Sequence, residues 1–151
     1  MNDFRRLNVW RKAHAFTLAI YRETSNFPRQ ELYGITSQMR RAAASVAANI
    51  AEGCGRGGDG EFHHFLNTAA GSSVELEYFL LLANDLGMLP HSVYTHLQQD
   101  VVEVQRMLSG LLKSVNSARQ TLRPSGASRP GLAARGSQLE VRSSKVAAHS
   151  S

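Results

Sequence analysis

Four stretches of residues 1–121 repeat their apolar side chains at intervals of three and four, and none alternates at two. That period is the mark of amphipathic helices and excludes a strand-built core. The first stretch runs from about Asn8 to Ser25, with Val9, Ala13, Phe16, Ile20 and Thr24 on one face. Asn8 suits its cap, and Asn26-Phe27-Pro28 ends it. The second runs from about Glu31 to Glu52 along Met39, Ala43, Val46 and Ile50. Its many alanines favour helix and close approach, and Gly53 is placed to cap its end. The third runs from about Asp59 to Leu86, with Phe62, Phe65, Ala69, Leu76, Leu80 and Ala83 in line. Asp59 suits its N-cap and Gly87 its stop. The fourth runs from about Pro90 to Thr121, where Val93, Leu97, Val101, Val104, Leu108, Leu111 and Val115 form one long seam. Pro90 suits its first turn. Short connections favour antiparallel neighbours, so the expected fold is all-α, an antiparallel up-down-up-down four-helix bundle over residues 1–121.

Residues 122–151 differ in kind. They are rich in Ser, Gly, Pro and Ala and hold no aromatic residue, so they cannot bury enough apolar surface to offset their ordering entropy. A disordered basic C-terminal tail is expected there.

Charge is unevenly distributed. Residues 1–58 hold nine basic and four acidic side chains, residues 59–121 three and seven, and residues 122–151 five and one. The bundle is therefore nearly neutral, which weakens a reading as a dedicated nucleic-acid binder. A basic front half and an acidic back half suit packing of one against the other, within a subunit or head to tail between subunits. The competing reading is scatter over a solvated surface. The single cysteine, Cys54, excludes a disulfide framework and a cysteine-based zinc module. No apolar run is long enough to span a membrane, and the first residues lack the apolar core of a secretory signal. The expected setting is the cytoplasm, without a membrane.

Few residues offer chemistry. The run from Gly53 to Gly60 could cradle a phosphate at a helix start, but it lacks the Gly-Lys-Ser/Thr ending of a P-loop, and no strand precedes it. It reads better as a helix–helix turn carrying Arg56 as a free cation. The histidines offer no three convergent ligands, so no metal is expected. Cys54 follows a helix end and has no evident base, and Glu75 and Glu77 diverge on their helix. No cofactor, catalytic group or small-molecule substrate is expected.

Two constellations point to contacts instead. Arg41, Ser45, Asn49 and Glu52 form a polar stripe beside the apolar line of the second helix. It is a solvated face, a catalytic face or a hydrogen-bonded network fixing helix register, with Ser72 and Glu75 as partners on the third helix. The run from Tyr78 to Ala83 is apolar nearly all round, whereas a helix of a small monomer keeps one face wet. Tyr78, Phe79, Leu81 and Leu82 are thus candidates for a subunit interface. A rival use of the surface is weak RNA or DNA binding by Arg5, Arg6, Arg11, Lys12, Arg40, Arg41 and Arg56, helped by the tail.

The order of several motifs adds a family resemblance. Leu7-Asn8-Val9-Trp10 and Lys12-Ala13 are followed by Phe27-Pro28 and Glu31-Leu32-Tyr33-Gly34. Then come Gln38-Met39-Arg40-Arg41-Ala42, Ser45-Val46, Asn49-Ile50-Ala51-Glu52-Gly53 and Arg56. Glu61-Phe62, Phe65-Leu66, Ala70-Gly71-Ser72 and Glu75-Leu76-Glu77 complete the set. Over residues 4–115 this resembles the bundle family encoded by intervening sequences of bacterial 23S rRNA genes, the S23-type family. One departure is Ala47, where that family usually has Pro, which leaves the second helix free to run straight. The resemblance implies a ring, a homopentamer, in which Arg41, Asn49, Glu52, Gly53 and Glu75 are structural or interface residues. A bundle similar in architecture is the accessory variability determinant of diversity-generating retroelements, which binds nucleic acid and pairs with a reverse transcriptase.

Overall fold

The computed structural model describes residues 3–121, so the tail expected at residues 122–151 lies outside the described residues. Four long helices carry the apolar periods: α1 (Asn8–Thr24), α2 (Ser37–Gly55), α3 (Asp59–Asp85) and α4 (His91–Thr121). Each packs against its neighbours in sequence, and α1 closes the bundle against α4. The order is up-down-up-down, and the described residues contain no strand.

The buried lines follow the periodicity closely. Val9, Ala13, Phe16, Ile20 and Thr24 of α1 are all buried, as are Met39, Ala43, Val46 and Ile50 of α2. In α4, Leu97, Val101, Val104, Leu108 and Val115 are buried, while Val93 and Leu111 pack half-buried at the edge. The α3 line differs from expectation. Leu66 and Ser73 join Ala69, Leu76, Leu80 and Ala83 in the core, and Phe62 and Phe65 are half-buried. The Ser73 hydroxyl is accommodated there by donating to the Ala70 carbonyl at 2.7 Å.

The helix ends correct four expectations. Leu7, not Asn8, takes the cap position of α1. A 3-10 turn, Phe4–Arg6, precedes it, and there Asp3 accepts from the Arg5 backbone N–H at 3.0 Å. Gly58 caps α3, so Asp59 is its first helical residue, where its carboxylate meets the positive end of the helix dipole. The helix expected to begin at Glu31 starts at Ser37. A 3-10 turn (Arg29–Glu31) and a kinked segment (Leu32–Thr36) precede it, with Gly34 off helical geometry at φ −102°, ψ −123°. Buried Phe27 and Ile35 pin this elbow to the core.

The fourth correction concerns Gly53, which does not end α2. The helix continues to Gly55, running unbroken past Ala47, and Gly53 is buried beneath α3. A Cβ there would lie 2.9 Å from Phe62 Cδ2 and 3.0 Å from Phe65 Cβ. Glycine is thus needed for close approach of two backbones, and the aromatic pair turns toward it. Gly87, at φ 70°, does stop α3 as its position suggests.

Candidate functional site

The polar stripe of α2 divides in two. Ser45 Oγ lies 2.8 Å from Ser72 Oγ across the α2–α3 seam. Asn49 Nδ2 donates to the Ser45 carbonyl at 2.8 Å and to Ser45 Oγ at 3.0 Å. With Asn49 donating to it, the Ser45 hydroxyl can spend its own proton on Ser72. A hydroxyl and a carboxamide are no general base, so this arrangement locks register and does not activate a nucleophile. Arg41 and Glu75 are exposed and line a cleft of about 310 Å³ above the lock, with Gln38 beside them. Glu52 turns away to pair with Arg56 Nη2 at 2.5 Å, and Gly53 serves the α2–α3 approach. The structure therefore brings Ser45, Asn49 and Ser72 together and leaves Arg41, Glu52 and Glu75 outside that network.

The apolar run of α3 also divides. Phe79 and Leu82 pack half-buried against the core, whereas Tyr78 and Leu81 face outward. Val74, one turn earlier, extends the outward face, a residue the sequence reading missed because it lies outside the apolar run. Val74, Tyr78 and Leu81 are 59%, 58% and 45% exposed. Their spacing of four and three makes them one stripe. Beside it, Glu77 accepts from Gln98 Nε2 and Gln105 Nε2 of α4, both at 2.8 Å. Since Gln98 and Gln105 both reach Glu77, Val102 between them lies at the same seam, and it is exposed. Exposed apolar residues thus stand on both α3 and α4, on helices joined by a hydrogen-bonded carboxylate.

The candidate cations are less free than their sequence implies. Lys12 Nζ lies 2.7 Å from Asp100 Oδ1 and 2.8 Å from Glu103 Oε2, clamping α1 to α4. The hydrogen bond to Asp100, then that to Glu103, raises the Lys12 pKa above the ordinary lysine value, against the opposing effect of desolvation. Arg56 was expected to be free. It is instead paired with Glu52, approaches Glu61 at 4.0 Å and lies over the Phe65 ring. Arg40 donates through Nε to Thr24 Oγ1 at 2.9 Å and stacks over Tyr21. Arg5, Arg6 and Arg11 stay exposed at one corner, with Arg11 Nε donating to the Arg5 carbonyl at 2.7 Å and Arg5 near Asp3 at 3.6 Å.

The glycine-rich segment forms the α2–α3 turn. Cys54 is buried beside it, and desolvation, helped by Asp3, pushes its thiol pKa up. Among the described residues no group of three or more His, Cys, Asp or Glu side chains is placed to hold a metal ion. No described helix is long and apolar enough to cross a membrane.

Helix order, packing and a polar lock between the middle helices make this chain an up-and-down four-helix bundle with an exposed apolar stripe on α3. More narrowly, it belongs to the 23S rRNA-intervening sequence protein family, which it matches over residues 5–110. It is similar to the crystal structure of a protein of unknown function from the S23 ribosomal protein family of Bacteroides thetaiotaomicron. The two are 26% identical, with a TM-score of 0.63, over 70% of this chain and 98% of that one. No curated protein matches the chain.

Proposed function

We propose that this protein is a non-enzymatic, self-assembling scaffold of the cytoplasm whose bundles join through the α3 face. The observation that carries the reading is the stripe of Val74, Tyr78 and Leu81, with Val102 exposed on α4. Exposed apolar side chains one turn apart beside a polar seam suit a protein contact, and a second copy of the chain is the partner always present. The uneven charge supports a head-to-tail contact, which closes into a ring when the rotation between subunits allows. Five copies per ring is the number the family resemblance favours.

Leu81→Asp tests it. A charge buried without a partner costs on the order of 3–5 kcal/mol, so the variant should sediment as monomer while keeping its helical circular dichroism. A Leu81→Asp protein with the wild-type sedimentation coefficient contradicts the proposal.

A second reading is supported by exposed Arg5, Arg6 and Arg11 at one corner. It makes the bundle a nucleic-acid-binding accessory protein, the role suggested by the likeness to reverse-transcriptase partners. Such binding would weaken steeply with salt through counterion release. The triple variant R5Q/R6Q/R11Q should lose it, and RNA and DNA affinities independent of salt would exclude it.

A further inference from the structure

We propose that the cleft at the α1–α2 elbow binds a small organic oxyanion, a phosphate monoester or carboxylate on an apolar body, with Arg40 as its counter-charge and Thr36 as a hydroxyl donor.

Thr36 is the first observation. Five of the six described threonines satisfy their hydroxyls by donating to the carbonyl four residues back, a common device in helices. Thr17 donates to Ala13 at 2.8 Å, Thr24 to Ile20 at 2.7 Å and Thr68 to His64 at 3.2 Å. Thr95 donates to His91 at 2.9 Å and Thr121 to Ser117 at 2.7 Å. Thr36 is only 3% exposed and its Oγ1 has no partner; the oxygen is closed off in the free protein and meets a ligand by a turn about χ1 toward the cleft that the residue lines. It lies two residues past the kink at Gly34, where the backbone leaves helical geometry. A buried hydroxyl without a partner destabilises the fold.

Arg40 is the second. Its side chain is pinned by neutral groups only. Nε donates to Thr24 Oγ1 at 2.9 Å, Nη2 reaches the Tyr21 carbonyl at 3.5 Å, and the guanidinium lies 4.9 Å from the Tyr21 ring centre. Nη1 makes no hydrogen bond within the described residues, and no described carboxylate pairs with this half-buried cation. Lys12 and Arg56, by contrast, each hold two carboxylates. A guanidinium held still with one edge unused is preorganised for the paired oxygens of a phosphate or carboxylate.

The cleft supplies the rest. Thr36 and Arg40 line a space of about 340 Å³ with Phe27, Pro28 and Leu32, and Arg29 adds a second, exposed cation at the rim. The α2–α3 cleft differs, because Glu75 stands in the same wall as Arg41. Cationic and hydroxyl groups at one side and an apolar wall at the other select an amphipathic anion.

Isothermal titration of the full chain with phenyl phosphate, benzoate and inorganic phosphate tests this. Phenyl phosphate should bind with a Kd of about 1 mM or tighter. Inorganic phosphate should bind at least tenfold more weakly, since it cannot use the apolar wall. Benzoate tighter than phenyl phosphate assigns the natural ligand as a carboxylate, and the reverse order as a phosphate ester. Arg40→Met should weaken phenyl phosphate at least tenfold with helicity unchanged, and Arg40→Lys, which keeps the charge but not the fork, should weaken it severalfold. Thr36→Val separates a binding role from a structural one: it should weaken phenyl phosphate while raising the melting temperature of the free protein. No heat of binding for phenyl phosphate or benzoate up to about 10 mM overturns the proposal. Equal affinities of wild type and both Arg40 variants for phenyl phosphate overturn it as well.

Discussion

Ser45 and Ser72 meet at 2.8 Å with Asn49 donating to Ser45 from the next turn, which fixes the register of α2 against α3. Such a contact needs small side chains on both helices. Ser72→Ala should cost about 1 kcal/mol, the net worth of one hydrogen bond. Ser72→Leu should cost about 1–3 kcal/mol by forcing the helices apart. Urea midpoints measured at unchanged m-value read both.

Two glycine replacements should differ in sign. At Gly53 an added methyl would meet Phe62 Cδ2 at 2.9 Å and Phe65 Cβ at 3.0 Å, whereas at Gly110 nothing lies within 4 Å. Gly110→Ala should stabilise by up to about 1 kcal/mol through helix propensity. Gly53→Ala gains the same propensity but meets overpacking of about 1–3 kcal/mol, so it should be net destabilising. Thermal unfolding of the two variants checks the contrast.

How much of this was readable in the sequence depends on range. The buried lines of α1, α2 and α4 follow from apolar spacing, because a helix buries whichever face its neighbours cover. The α3 line shifted from Phe62 and Phe65 to Leu66 and Ser73, since the aromatics are drawn to the gap left by Gly53, a partner on another helix. At the elbow, Gly34 with β-branched Ile35 and Thr36 marks a weak point for a helix, but spacing alone does not show that the chain kinks there, between buried Phe27 and Ile35. In the site, spacing puts Ser45 and Asn49 on one stripe facing Ser72, but it leaves open whether that stripe is a network or a solvated face; the hydrogen bonds depend on how the two helices pack. The engagement of Lys12 by Asp100, 88 residues away, leaves no local signal, and the orphaned Thr36 hydroxyl sits just past a kink at Gly34 that residue spacing does not announce.

The Lys12 clamp predicts alkaline sensitivity. Its pKa is raised in the fold, chiefly by the hydrogen bonds to Asp100 and Glu103, so the folded state holds the proton more tightly than the unfolded state. Its contribution is therefore complete below the ordinary value of 10.5 and is lost as pH rises through the higher folded value. Lys12→Met should lower stability by about 1–2 kcal/mol at neutral pH and should flatten the fall of stability above pH 10.5. Denaturation midpoints across that window distinguish the two proteins.

Cys54 should be a slow thiol. It is buried, and desolvation raises its pKa above the ordinary 9.0, so little thiolate is present in the fold at neutral pH. Labelling by a disulfide reagent should be slow in buffer and fast in denaturing urea, with the native rate tracking opening of the α2–α3 end. Rapid labelling of the native protein would contradict the packing around Gly53 and Phe62.

The outward stripe of Val74, Tyr78 and Leu81 carries the central claim, that the bundle functions as an assembly. The most direct measurement is the absolute mass of the purified full chain by light scattering, with absorbance at 260 and 280 nm read across the same peak. The account predicts a single protein-like peak near five times the chain mass of 16.6 kDa. A peak at 16.6 kDa at micromolar concentration would contradict it.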